Sequence, residues 1–90
     1  MPKFVIEREV PGAGRLSVQE LQAMTQRSNK VICDLGSEIT WQQSYVTDDK
    51  LYCVYIAPSE DVVYEHARCG GFPADRVSRV TTIIDPSTGD

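Results

Sequence analysis

The chain has 90 residues, 41% of them hydrophobic and 24% charged, which describes one globular domain rather than a disordered segment. Nine Lys and Arg against thirteen Asp and Glu leave a net charge of −4; the basic residues stand singly and do not interleave with aromatics, so a surface that tracks nucleic-acid phosphates is excluded. No apolar run approaches the ~20 residues of a bilayer span, and the start, Met1 to Glu7, reaches charge too early for a secretory signal. The three cysteines, Cys33, Cys53 and Cys69, are widely spaced with no C-x-x-C pair. They point to reduced thiols and a cytoplasmic location rather than a disulfide framework or a zinc knuckle.

Lys3 to Val10 is rich in β-branched and aromatic residues and ends at Pro11-Gly12-Ala13-Gly14, so it reads as a strand followed by a loop. Ser17-Val18-Gln19-Glu20 fits a capping box. Behind it Leu21, Met24, Ser28, Val31, Ile32 and Leu35 share one helical stripe, and Gly36 follows where a left-handed C-cap is wanted. Ile39 to Val46 and Leu51 to Ala57 are two strand-like runs joined by a hairpin-length turn, Thr47 to Lys50. Pro58-Ser59-Glu60-Asp61 opens a second helix with Ser59 as cap, and Gly70-Gly71 and Pro73 stop it. Val77 to Asp85 reads as a last strand closed by Pro86. Residues 1–86 thus form one domain, and 87–90 a frayed tail.

The order β-α-β-β-α-β is that of the ferredoxin-like α+β sandwich, a four-stranded antiparallel sheet with two helices on one face. Val5, Trp41, Tyr45, Tyr52, Val54 and Ile56 cannot all point at two helices. Apolar residues on both strand parities therefore imply a far sheet face covered by a second subunit, a homodimer of the dimeric α+β barrel type.

Candidate chemistry centres on the single histidine, His66. The helical wheel sets it among Val62, Val63 and Gly70, facing the sheet. There it is either a core imidazole bonded to a carbonyl or a tyrosine hydroxyl, or a metal ligand or general base. Its candidate co-ligands are Glu7 and Glu9, which share one face of the first strand. Cys69, three residues after His66, would make with it only half a tetrahedral site. Trp41, Tyr45, Cys53 and Tyr55 are candidates to wall a ligand pocket. Trp41 and Tyr45 are placed on one face of the second strand, and all four are equally readable as core or dimer contacts. Pro11 to Arg15 lacks a G-K-[ST] ending and reads as a turn, not a phosphate loop.

The stretches Phe4 to Gly12, Trp41 to Tyr55 with its W-x-x-S-Y and Y-C-x-Y patterns, and Glu65-His66-Ala67-Arg68 with Gly71-Phe72-Pro73-Ala74 resemble a family of small bacterial proteins that carries a domain-of-unknown-function label and has members described as nickel-binding. The resemblance implies a ferredoxin-like domain that dimerises, with Ni²⁺ as its bound ion, and sets the family's E-H-A pattern on Glu65, His66 and Ala67. Two functions follow as expectations. The favoured one is a homodimeric binding protein that holds a divalent transition metal, nickel, through His66 and carboxylates, with no catalytic residue assigned. The alternative is a small-molecule-binding or monooxygenase- or isomerase-like barrel with His66 in an aromatic-lined cleft.

Overall fold

The computed structural model describes residues 1–36 and 38–90. Its strands and helices are β1 (Lys3–Glu9), α1 (Val18–Leu35), β2 (Thr40–Val46), β3 (Lys50–Ile56), α2 (Glu60–Gly70) and β4 (Arg76–Arg79). The sheet runs β2-β3-β1-β4 with every neighbouring pair antiparallel, and α1 packs beside α2. This is the ferredoxin-like arrangement.

Local chemistry sets the helix ends. Ser17 accepts the Glu20 amide proton while the Glu20 carboxylate accepts the Ser17 amide, each at 3.1 Å, so two orphan N–H groups of α1 are satisfied reciprocally. Gly36 ends α1 at φ 59°, a left-handed conformation that a Cβ would oppose. Leu35, the last residue of the predicted stripe, lies outside the described side chains. Ser59 takes the N-cap position of α2, but its hydroxyl makes no cap bond. Glu60 and Asp61 in the first turn offset the helix dipole instead.

Side-chain alternation divides the sheet cleanly. Phe4, Ile6 and Arg8 of β1 and Leu51, Cys53 and Tyr55 of β3 are buried toward the helices. Val5 and Glu7, with Tyr52, Val54 and Ile56, take the opposite, half-buried parity. Phe4, Ile6, Leu51, Cys53 and Tyr55 form the core together with Ala13, Ile39, Ala57 and Val63. Each fully buried large aliphatic side chain such as Ile6 stabilises the fold by roughly 1.5–3 kcal/mol.

Two expectations about the strands are corrected. In β2 the register slips between Trp41 and Gln43, so that Trp41 pairs with Tyr55 while Gln43 pairs with Val54. The extra residue, Gln42, inverts the parity beyond it. Trp41 therefore faces the helices, and Tyr45, opposite Tyr52, faces the other way; the two do not share a face. The last strand is also shorter than the Val77–Asp85 run suggests. It pairs with Phe4 to Glu7 of β1, and the Val80 amide makes a last bond to the Lys3 carbonyl at 2.8 Å. Beyond that point β1 has no further residues to offer, and 80–85 continue without strand pairing. Pro86–Gly89 form a single exposed 3₁₀ turn capped by the Asp85 carboxylate.

The loop after β1 is anchored to the hairpin turn. Val10 and Gly14 donate to the Asp49 and Asp48 carbonyls at 3.0 Å, and Gly12 donates to the Asp49 carboxylate at 2.9 Å. A Cβ at Gly14 would meet the Asp48 backbone at 3.0 Å. Close approach of two backbones, rather than phosphate binding, accounts for this glycine-rich stretch.

Candidate functional site

Between α1 and the sheet lies a pocket of about 190 Å³. Its floor is Arg8 of β1, Cys53 and Tyr55 of β3, and Trp41 and Ser44 of β2; its roof is Leu21, Met24, Thr25 and Ser28 of α1; Phe72 closes one end. The Trp41 and Tyr55 rings stack with centroids 6.3 Å apart, and the indole N–H donates to the Ser44 hydroxyl at 2.9 Å. The β2 bulge is what brings the indole to this side of the sheet.

His66 stands directly behind this wall. It is fully buried, with its ring 5.2 Å from Tyr55 and stacked 5.8 Å from Phe72. Nε2 shares a hydrogen bond of 3.2 Å with the buried Ser28 hydroxyl, and Nδ1 has no partner among the described residues. Burial, and secondarily the Arg8 charge, hold the imidazole below its ordinary range, while hydrogen bonding to Ser28 pulls weakly the other way. Phe72 reaches this position because Gly71 turns the chain at φ 69° and the Phe72 amide bonds back to the Ala67 carbonyl at 2.9 Å.

Arg8 is the residue that the sequence reading missed. Only 2% exposed, it donates to the Pro73 carbonyl and, at 3.5 Å, to the Tyr55 hydroxyl. Its guanidinium also lies over the Phe72 ring at 5.4 Å. No carboxylate of the described residues is within ion-pair distance of it. A buried charge without a counter-charge costs several kcal/mol. The available signal was parity, since Arg8 continues the i, i+2 series of Phe4 and Ile6. Burial raises the Tyr55 hydroxyl pKa, with Arg8 drawing it partly back.

The predicted metal set His66, Glu7 and Glu9 is not brought together in the chain. Glu7 and Glu9 have the opposite parity to Arg8 and stand on the far side of the sheet from His66. There Glu7 is 3.9 Å from Lys50 and 4.0 Å from Arg76, and Glu9 is 4.0 Å from Lys50. Cys69 is exposed on α2 beside Glu65 and Arg68. Among the described residues no three His, Cys, Asp or Glu side chains gather where they could hold a metal ion. The His66 surroundings are also electrostatically unfavourable for a dication, because the buried Arg8 guanidinium acts on the imidazole. Of the four predicted pocket residues, Trp41, Cys53 and Tyr55 line the pocket and Tyr45 does not. No helix of the described residues is long and apolar enough to cross a membrane.

A family model described as nickel responsive protein SCO4226-like matches residues 4–80. The fold is shared with the crystal structure of SCO4226 from Streptomyces coelicolor A3(2), at a TM-score of 0.77 and 19% identity, over 91% of this chain and 99% of that one. No curated protein matches the chain. The chain belongs to the SCO4226-like nickel responsive family.

Proposed function

We propose that this family member is a homodimeric nickel-binding protein whose metal-facing groups are Glu7 and Glu9 on the open sheet face, not His66. The observation that carries the reading is the position of these two carboxylates. They sit two residues apart on the face that also presents Val5, Tyr52 and Val54, and the cations near them lie at 3.9–4.0 Å, beyond hydrogen-bonding distance. An apolar face of this kind is covered by a second copy, in the isologous way of a two-fold dimer. Covering it brings like-charged carboxylates together, and a divalent cation offsets their repulsion. Carboxylate oxygens completed by water build an octahedral site for a divalent ion with no need of a cysteine cluster, and by donor type alone they suit magnesium or manganese as well. The family's description as nickel responsive supports the choice of ion. One subunit supplies too few donors, so metal binding and dimerisation go together.

The test is calorimetric titration of tag-free protein with Ni²⁺, because a histidine tag would add imidazoles to a chain that has one. Wild type and His66→Gln are expected to bind, and the double variant Glu7→Gln, Glu9→Gln to lose binding. Absence of binding by the wild type, or equal binding by the double variant, overturns the reading.

A further inference from the structure

We infer that the pocket between α1 and the sheet is a binding site for a small organic monoanion, a carboxylate carried on a flat apolar body. The first support is Arg8. Its guanidinium lines the pocket, is 2% exposed, and has no carboxylate of the described residues within ion-pair distance. Among the described residues two of its N–H groups meet protein acceptors, the Pro73 carbonyl and the Tyr55 hydroxyl, whereas the group carries five donors in a fork that matches a carboxylate. A cation kept in a pocket wall without its anion is a group prepared for one brought by a ligand.

The remaining walls define the body of that ligand. Leu21, Met24, Leu51 and Cys53 are apolar, and Trp41 and Tyr55 present a stacked aromatic surface. The serine and threonine hydroxyls of the lining are already engaged: Ser28 shares a hydrogen bond with His66, Thr25 donates to the Leu21 carbonyl, and Ser44 accepts from the Trp41 indole. One positive charge and a largely apolar lining suit a single negative charge on an apolar frame, and they disfavour a free phosphate, which needs donors on several sides. Size agrees, since cavities of about 150 Å³ admit a benzene ring and this pocket measures about 190 Å³. The site is on the opposite side of the sheet from Glu7 and Glu9, so the inference stands independently of nickel binding.

Trp41 is the chain's single tryptophan and lines the pocket, which makes its fluorescence a direct reporter. Benzoate, its neutral isostere benzamide, and inorganic phosphate are the probes, each titrated into tag-free wild type and followed by fluorescence and calorimetry. Benzoate is expected to bind at least about tenfold more tightly than benzamide, the scale of one charge-assisted contact, and phosphate to leave the fluorescence unchanged. Arg8→Met should abolish the preference for benzoate. Thr25→Phe, which fills the pocket from α1 and leaves Arg8 in place, should weaken both ring compounds and serves if Arg8→Met fails to fold. Equal binding of benzoate and benzamide, no binding of benzoate, phosphate binding as tight as benzoate, or a benzoate affinity unchanged in either variant overturns the inference.

Discussion

Arg8 and His66 reach the same buried region from opposite layers, Arg8 from β1 and His66 from α2, and both touch Tyr55 and Phe72. Burial of the imidazole comes first and the guanidinium charge second in holding His66 neutral. Replacing Arg8 with an apolar side chain of similar length removes the second cause and leaves the first. In Arg8→Met the His66 pKa should therefore rise while staying below its ordinary value. The chain has one histidine, so its two imidazole C–H resonances, followed by NMR titration, read it directly. An unmoved pKa would show that the two groups do not sense each other.

The depressed His66 pKa also makes stability depend on pH. At pH well above the ordinary value of 6.5 the imidazole is neutral in both the folded and the unfolded chain, and no penalty arises. As pH falls through 6.5 the unfolded chain takes up a proton that the folded chain refuses. Stability then drops, by at most about 1.4 kcal/mol per pH unit for one proton, and levels off below the folded pKa. Denaturant unfolding of wild type and His66→Gln between pH 7.5 and 5 should show the difference in stability between them shrinking toward acid. A constant difference would mean that His66 titrates alike in both states.

Ser17 with Glu20, and Gly36, announce the ends of α1 because capping depends on a few neighbouring residues and little else. The sheet order follows from the succession of elements. The faces were harder. Trp41 and Tyr45 are four residues apart and belong on one face of a regular strand, but the bulge at Gln42 separates them; such an insertion is decided by pairing with β3, which the residues of β2 do not reveal. Glu7 and Glu9 were candidates for His66 only while the parity of β1 was open. Phe4 and Ile6 decide that parity and send Arg8, not the glutamates, toward the helices. The length of β4 is set by where β1 begins, a property of another strand altogether.

Gly70 closes α2 against the Phe72 ring, and a Cβ there would overlap that ring. The ring has little freedom to withdraw, since it is held against Arg8 and His66 and beneath Arg27, whose guanidinium lies 4.6 Å from its centroid. Alanine would gain about 1 kcal/mol of helix propensity, but overpacking typically costs 1–3 kcal/mol. Gly70→Ala should be net destabilising by about 1 kcal/mol, measured by urea unfolding. Stabilisation instead would show that Phe72 is free to move.

The capping box of α1 gives a prediction insulated from the site. Ser17→Ala removes the acceptor of the Glu20 amide and the reciprocal arrangement with it. The expected loss is about 1 kcal/mol in unfolding free energy, with Trp41 fluorescence in the folded state unchanged because Ser17 does not line the pocket. An unaltered unfolding midpoint would assign the helix start to packing rather than to the cap.

Val54 stands at the centre of the open sheet face, between Val5 of β1 and Gln43 of β2. Its half-buried side chain and those of Val5, Tyr52 and Ile56 have the helices on the wrong side of the sheet to cover them. If a second copy covers this face, as proposed, Val54→Asp buries an unpaired carboxylate in the interface between the copies. Burying such an unpaired charge costs several kcal/mol, equivalent to a loss of roughly a hundredfold or more in dimer affinity. Light scattering should give the wild type about twice the 10.0 kDa chain mass at micromolar concentration, and the variant the mass of one chain. Circular dichroism on the same sample separates dissociation from unfolding, since helical signal retained at monomer mass identifies the former. A wild type that scatters as a single 10.0 kDa chain removes the dimer, and with it the site that two pairs of glutamates would build.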